Sequence, residues 1–134
     1  MATDHVDPAA ESHRPVREVM ISRPKSVQQG AAVAEARRAF ENQSVRVLMV
    51  VDGDRYAGEL RREDVPADAA GDAPVTPHVV AGERIASSAP LADAIATLER
   101  SGGDRLAVVD GEKLVGLVCF SRSHGHLCVD ARKP

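Results

Sequence analysis

The chain has 134 residues, 43% hydrophobic and 28% charged, enough for one compact domain or two small halves that share a core. Its net charge of −3 and its 2% of aromatic residues argue against nucleic-acid binding, because no basic stripe or stacking platform is present. The longest wholly apolar run, Val47–Val51, is far too short to span a bilayer, so no membrane partner is expected.

The expected cellular compartment is inferred from the N-terminal segment and from the two cysteines. Residues 1–15 are polar, lack the apolar segment of a secretory signal and are expected to form a flexible tail. Cys119 and Cys128 do not have the pattern of a disulfide framework. We therefore expect a cytoplasmic protein.

The first half of the chain predicts a strand, a helix and a hairpin. Val33, Ala36 and Phe40 recur at helical spacing, and the apolar run 47–51 is typical of a strand buried on both faces. Asp52-Gly53-Asp54 is predicted as the hairpin turn, because Asp-Gly between apolar runs is typical of a hairpin. The predicted elements are, in chain order, a helical turn at 16–20, a strand at 26–27, a helix at 33–40, strands at 47–51 and 56–60, and a helix that starts at 61–65 and is limited by Pro66.

The second half predicts the same order of elements. Ser87 or Ser88 is expected to cap a helix with Pro90 in its first turn, and Gly102-Gly103 is expected to end it. The predicted elements are a strand at 84–85, a helix with its apolar stripe at 91–98, strands at 106–109 and 114–120, and a short final helix from residue 121. Gly58 and Gly116 lie inside predicted strands, which indicates a bulge or the close approach of another backbone.

The two halves are copies of one unit. The segment Val50–Gly58 returns 58 residues later as Val108–Gly116, and the register holds upstream without a gap. Between residues 33–58 and 91–116, nine of 26 positions are identical, namely 34, 36, 41, 48, 50, 51, 52, 53 and 58. This regularity indicates one supersecondary unit used twice.

The repeat also predicts the domain organisation and the fold class. We expect a tail at 1–15, a first repeat at 16–66, a linker at 67–75, a second repeat at 76–128 and a C-terminal tail at 129–134. Each repeat is predicted as βαββα, which gives an α/β fold with small mixed sheets and helices packed on them. Two repeats related by a pseudo-twofold axis would bury each other's bare sheet faces.

A His-x-His-x-Cys pattern near the C-terminus raises a possible metal site. On an extended strand His124, His126 and Cys128 would share one face and could bind one Zn²⁺, with Cys119 as a fourth ligand. A helix over 121–129 would instead separate these side chains, and the chain has no CxxC motif. The other histidines, His5, His13 and His78, are isolated and are expected at the surface.

The duplicated strand-helix-hairpin unit, ending in apolar-apolar-Asp-Gly-x-x-x-x-Gly, resembles the cystathionine-β-synthase (CBS) domain pair, or Bateman module. The resemblance covers about residues 16–128. It implies a regulatory module that forms homodimers and binds adenosine-containing ligands, such as AMP, ADP, ATP or S-adenosylmethionine, in clefts between the repeats. No further cofactor is implied, and the regulated partner would be another protein.

The ligand signature of the family runs Gly, two apolar residues, Ser or Thr, two variable residues and Asp. Gly58 and Asp64 fit it, whereas Arg61 stands at the hydroxyl position. In the second repeat Cys119 replaces the hydroxyl residue and Arg122 the acid, so the resemblance implies at most one adenosine site per chain. The implied ligand-binding residues are Ser26, Val27, Gly58, Arg61, Arg62, Asp64 and Arg122.

Each of these roles has an ordinary structural alternative. Asp64 would accept the ribose hydroxyls, or it would satisfy backbone N–H groups at a helix start. The arginines would bind a phosphate, or they would be solvated surface residues.

No catalytic motif is present: the chain has no Gly-x-Ser-x-Gly, no phosphate-binding Gly-rich loop and no HExxH. We therefore expect a non-catalytic protein with two alternative functions. One is a nucleotide-sensing module, and the other is a ligand-free scaffold for dimerisation or protein interaction. A zinc-dependent module is a third, lesser alternative.

Overall fold

The structure, a computed structural model, describes residues 3–6, 13–103, 105–121 and 126–130 of the chain, and the side chains of residues 13–103 and 105–120. Its strands are β1 Thr3–Val6, β2 Ile21–Ser22, β3 Ser26–Gln28, β4 Val47–Asp52, β5 Arg55–Arg61, β6 Arg84–Ala86, β7 Arg105–Asp110, β8 Lys113–Ser121 and β9 His126–Asp130. Its helices are α1 Val33–Phe40 and α2 Leu91–Ser101, and its 3-10 turns are Val16–Glu18, Arg62–Asp64 and Thr76–His78.

The chain forms two compact units. Pro24–Gly82 makes up one, here called the central unit, and Met1–Arg23 with Glu83–Pro134 makes up the other, here called the terminal unit. The predicted α/β fold class is confirmed, since each unit places one helix on a small mixed sheet. None of the helices in the described residues is long and apolar enough to cross a membrane.

In the central unit, β4 pairs in parallel with β3 and antiparallel with β5, and α1 packs on these strands. The predicted apolar stripe of α1 is confirmed, because Val33, Ala36 and Phe40 are all buried. Alternate residues of a strand face opposite sides of the sheet, and Leu48 and Val50 of β4 face the helix. The buried core consists of Val27, Val33, Ala36, Phe40, Val45, Leu48, Val50, Leu60 and Val75.

The terminal unit repeats this arrangement and extends it. Here β7 pairs in parallel with β6 and antiparallel with β8, while β8 also pairs antiparallel with β2 and β9, and β9 with β1. Its helix α2 ends at Gly102, whose φ of 73° is the left-handed conformation that glycine adopts without strain. The core consists of Val16, Val19, Met20, Leu91, Ala94, Leu98, Leu106, Val108 and Val118.

Both hairpins have a two-residue loop, and the first loop lies within the predicted turn 52–54. Asp52 pairs with Arg55, so the two-residue loop is Gly53-Asp54, and Gly53 has a φ of 68°. In the second hairpin Asp110 pairs with Lys113, and Gly111 has a φ of 67°. A two-residue loop with the glycine first matches the right-handed twist of the two strands.

The predicted cap of α2 is wrong. The residue before the helix is Pro90, and no side chain caps this end of the helix. Ser87 and Ser88 are not needed there, because the Leu91 N–H donates to the main-chain oxygen of Arg14 at 2.7 Å. A helix terminus that lies against another chain segment thus obtains its hydrogen bond from that backbone.

The predicted structures of both chain ends are also wrong. Residues 126–130 form strand β9 instead of continuing a final helix, and the expected N-terminal tail contains strand β1. Leu127, Cys128 and Val129 form a short apolar run after His126, and the backbone of residues 126–128 pairs with β8. After β5 the chain forms only the 3-10 turn 62–64, so the predicted second helix is reduced to three residues.

The predicted close approach at the two strand glycines is confirmed. A Cβ atom on Gly58 would lie 2.6 Å from the carbonyl oxygen of Val80, and one on Gly116 would lie 2.9 Å from that of Ile21. Gly58 also has a φ of 151°, which residues with a side chain rarely adopt, and the β4–β5 register shifts beside it. The hairpin of each unit thus touches the backbone of a segment from elsewhere in the chain.

We expect Gly58→Ala to destabilise the protein by about 2 kcal/mol or more, because the new methyl group meets backbone and the φ is unfavourable. The matched control is Gly30→Ala, since a Cβ there has no atom within 4 Å. Urea unfolding of the three proteins measures the difference. Equal losses of stability in both variants would contradict the close approach.

Candidate functional site

The candidate site follows one continuous stretch of the central unit, from Gly58 to Asp64. Gly58 is buried in β5, directly opposite Val50 of β4, which in turn is opposite Val27 of β3. The structure therefore brings two predicted site residues, Val27 and Gly58, into one row across three strands. The Val27 side chain is 6% exposed and packs in the helix-side core, while Ser26 beside it is exposed.

Asp64 is the last residue of the 3-10 turn that follows β5 and is half-buried. Within residues 13–103 and 105–120 its carboxylate has no hydrogen bond and no ion pair. Asp64 therefore does not accept hydrogen bonds from backbone N–H groups of these residues, as its alternative role at a helix start would require. The carboxylate has four lone-pair positions with which it can accept hydrogen bonds from a ligand.

The chain that follows Asp64 is held in place by Arg37 of α1. The Arg37 Nη2 atom lies 3.0 Å from the carbonyl oxygens of Pro66 and Ala67 and 2.8 Å from that of Ala69. Hydrogen bonds from a charged donor are stronger than those between neutral groups. Arg37 thus fixes the loop next to Asp64 to the helix.

The guanidinium of Arg62 already contacts two carbonyl oxygens and one aromatic ring of the central unit. Its Nη2 atom donates to the carbonyl oxygens of Asn42, at 3.0 Å, and Val45, and its guanidinium lies 5.2 Å from the centre of the Phe40 ring. These contacts hold the loop between α1 and β4. The phosphate-binding role of Arg62 stays a prediction, and it would have to use the remaining donors of the guanidinium.

Arg61 forms an ion pair with Glu59, a residue that the sequence analysis did not single out. The two residues are both on β5, two positions apart and hence on one face, and Arg61 Nε lies 3.1 Å from Glu59 Oε1. Glu59 is 8% exposed, the one buried charged residue among the described side chains, whereas the Arg61 side chain is 45% exposed. The available signal was that Glu59 occupies a position where the family signature has an apolar residue.

Gly82, the last residue of the central unit, lies against this ion pair. A Cβ atom at Gly82 would be 2.8 Å from Glu59 Oε2. A larger residue would push the buried carboxylate away from Arg61 and leave its charge without compensation, which is costly. The positive charge of Arg61 therefore has a structural use in addition to its predicted contact with a phosphate.

The corresponding residues of the second repeat are only partly described. Gly116 is buried in β8 and Cys119 of the same strand is half-buried, while Arg122 and His124 lie outside the described residues. His126 and Cys128 are in β9, where only the backbone is described. Among the side chains that the structure describes, no group of three potential metal ligands occurs.

The apolar stripes of α1 and α2 are not available as a dimer surface. The side chains of Val33, Phe40, Leu91 and Leu98 are at most 6% exposed and belong to the cores of their own units. The apolar stripes of α1 and α2 are therefore used within the chain. In the terminal unit a shallow groove remains, which is lined by Ile95, Leu98, Glu99 and Phe120.

Comparison with protein families gives a single result for both halves. The family model of the CBS domain matches the chain twice, over residues 16–65 and 71–121. No curated protein matches the chain.

Solved structures with the same fold contain CBS domains. A CBS domain pair/ACT domain protein from Thermotoga maritima is 20% identical, with a TM-score of 0.69 over 78% of this chain and 88% of that one. CBSX2 in complex with AMP is 23% identical, with a TM-score of 0.69 over 83% and 92%. The CBS domain of a bacterial CNNM/CorC family Mg²⁺ transporter is 16% identical, with a TM-score of 0.72 over 84% and 74%. At these identities the likeness establishes the fold.

We expect Arg62→Lys to destabilise the protein by about 1–2 kcal/mol, because a compact ammonium group cannot donate to both carbonyl oxygens and also place a planar cation over the Phe40 ring. Arg38→Lys is the matched control, since Arg38 is exposed on the same helix that carries Phe40. Thermal and urea unfolding measure both variants. If Arg62→Lys is as stable as the control, Arg62 has no structural role.

Proposed function

The chain belongs to the CBS domain family as a tandem pair, and from this membership we propose that it is a non-catalytic regulatory module that senses an adenosine-containing nucleotide through Asp64. The observation that supports this proposal best is the half-buried Asp64 carboxylate, which has no hydrogen-bond partner among the described residues. Its oxygen atoms remain accessible to solvent, so a ligand with two adjacent hydroxyl groups would replace water as the hydrogen-bond donor.

The surroundings of Asp64 support a preformed site. Arg37 fixes the loop after Asp64, and Arg62 fixes the loop before β4, so the turn between them is held from both sides. A site that is ordered before binding loses less conformational entropy when the ligand arrives. The exposed part of Arg61 would supply a positive charge for a phosphate near the same turn.

Two arguments determine the class of ligand. A carboxylate can accept hydrogen bonds from both hydroxyl groups of a ribose, and the family resemblance implies adenosine-containing ligands. AMP, ADP, ATP and S-adenosylmethionine all present a ribose with two hydroxyl groups. CBSX2, a structural relative of this chain, contains AMP, which makes AMP the first ligand to test. No other cofactor is required by this proposal.

Regulation requires that the ligand binds one arrangement of the protein better than another, because binding with equal affinity shifts no equilibrium. The signal would then pass to a separate protein, which the chain regulates by contact. The CBS domain in the CNNM/CorC structure is part of an Mg²⁺ transporter. In that case the CBS domain and the transporter belong to one protein, whereas here we propose that the regulated protein is a separate one.

We expect AMP to raise the thermal midpoint of the purified protein, since a ligand that binds only the folded state stabilises it.

Asp64→Asn removes the charge but keeps the shape, and we expect affinity to fall about 10- to 100-fold with loss of two charge-assisted hydrogen bonds. Titration calorimetry with AMP, ADP, ATP and S-adenosylmethionine measures this effect. Asp68→Asn, on the exposed part of the following loop, is the matched control.

The outcomes separate the parts of this proposal. Equal affinity of native protein and Asp64→Asn for a ligand that binds would remove the role of Asp64 but keep the sensing function. No binding of any of the four ligands would remove the sensing function.

The second candidate function is a ligand-free scaffold. It is favoured by the second repeat, where Cys119 and Arg122 stand in place of the hydroxyl and acid of the signature. It is also compatible with the occupied guanidinium of Arg62. In this case the module would act by forming a homodimer or by binding a partner protein.

We expect the protein to sediment as a homodimer at tens of micromolar, since CBS domain pairs commonly self-associate. Analytical ultracentrifugation over a concentration series, with and without AMP, measures the association. A strict monomer under both conditions would contradict the dimer. A dimer that forms without any bound nucleotide would favour the scaffold.

A further inference from the structure

Glu59 and Arg61 are the two residues of β5 that depart from the ligand signature, and they contact each other. The signature has an apolar residue directly after the glycine and a hydroxyl residue two positions later, where this chain has Glu59 and Arg61. Both side chains lie on one face of the strand, and Arg61 Nε is 3.1 Å from Glu59 Oε1. The two departures are therefore one feature, an ion pair at two positions where the signature has uncharged residues.

The Glu59 carboxylate is held in place beside Arg61. The main chain of Glu59 forms two hydrogen bonds of 2.9 Å with that of Val80, and on its other side Glu59 is paired with Met49 of β4. The Glu59 side chain is only 11% exposed, and Gly82 lies against its second carboxylate oxygen. A carboxylate buried in this way keeps its partner, because a buried charge without compensation is unfavourable.

Arg61 uses only part of its guanidinium in this pair. Its Nε atom donates to Glu59, whereas its two terminal nitrogens form no hydrogen bond or ion pair with the described residues. The Arg61 side chain is 45% exposed, so these nitrogens remain available to a phosphate. An anion that approaches Arg61 is nevertheless attracted less strongly than by an unpaired arginine, because the neighbouring Glu59 repels it.

The turn at Asp64 and the residues that support it have no surplus of positive charge. Three arginines and three acids belong to this group, namely Arg37, Arg61, Arg62, Glu59, Glu63 and Asp64. Hydrogen bonds to carbonyl oxygens do not change the charge of an arginine, so the group is neutral as a whole. Exposed charges further away are screened by salt. Without the charge of Glu59, the group would be positive.

We propose that Glu59 determines the specificity of the Asp64 site by neutralising Arg61, so that a nucleotide with one phosphate group binds better than the corresponding diphosphate and triphosphate. This inference rests on the proposed function and selects AMP over ADP and ATP among its ligands. Each further phosphoryl group adds negative charge, which Glu59 repels and for which the turn has no additional cation. Glu59 acts through Arg61 and through its own charge, without touching the ligand.

The first experiment changes the charge of Glu59 and keeps its shape. Glu59→Gln retains an oxygen that accepts the hydrogen bond from Arg61 Nε but removes the negative charge. We expect the native chain to bind AMP more tightly than ATP, and Glu59→Gln to raise the affinity for ATP relative to AMP about 10-fold in titration calorimetry. Glu63→Gln is the matched control, since Glu63 is exposed on the neighbouring 3-10 turn, and its ratio is expected to stay within about twofold of the native one.

The ratio of the two affinities separates this role from a merely structural one. If Glu59 only stabilises the fold, Glu59→Gln weakens the binding of both ligands alike and the ratio stays native, which would overturn the proposal. Tighter binding of ATP than of AMP by the native chain would overturn it too. If Glu59→Gln does not fold, Glu59→Leu, which places the apolar residue of the signature at this position, is measured instead with the same expected change.

Inorganic tripolyphosphate tests the role of Glu59 without a nucleoside. If the native chain binds neither the three nucleotides nor S-adenosylmethionine, the proposed function fails, while this probe still reports on the charge at Arg61. We expect Glu59→Gln to bind tripolyphosphate about 10-fold more tightly than the native chain, and the double variant Glu59→Gln with Arg61→Gln to lose this gain. Equal affinity of the native chain and Glu59→Gln, or no binding to either, contradicts the proposal.

Discussion

The fold depends on a backbone contact that only glycine permits. In both units the returning strand of the hairpin carries a glycine, Gly58 or Gly116, against which a carbonyl group of another segment lies. In the terminal unit this segment is β2, which comes from before the central unit in the chain. In the central unit it is the segment at Val80, where two main-chain hydrogen bonds of 2.9 Å join Val80 and Glu59. Each repeat is therefore completed by a segment that lies outside its own hairpin.

The same strand β5 that carries Gly58 also sets the charges of the candidate site. Three arginines lie near its end, and each is engaged within the unit. Arg37 and Arg62 hold loops through carbonyl oxygens, and Arg61 pairs with buried Glu59. Asp64 differs from them, because no described side chain or backbone group binds its carboxylate. This difference is the reason that the proposed function places the contact with a hydroxyl-bearing ligand at Asp64.

Local sequence patterns predicted the helices and strands that are marked by the spacing of their own apolar residues. The sequence shows the helical stripe of Val33, Ala36 and Phe40 and the continuous apolar run 47–51 directly. The 58-residue repeat then predicts a corresponding helix and strand in the second half. Features that depend on distant partners could not be read in this way. The start of α2 is bonded by the Arg14 carbonyl, β1 pairs with β9 from the opposite end of the chain, and the burial of Glu59 depends on packing around it.

The division of the chain has a consequence for how the protein assembles. Pro24–Gly82 is continuous, so its contacts form between residues that are near in sequence, whereas the other unit needs both chain ends. Bringing such ends together costs loop-closure entropy, and contacts of long sequence separation form slowly. During synthesis the inner unit is complete while β7 and β8 are still to be made. We therefore expect the inner unit to fold first and the pairing of β1 with β9, which joins the two ends of the chain, to form late.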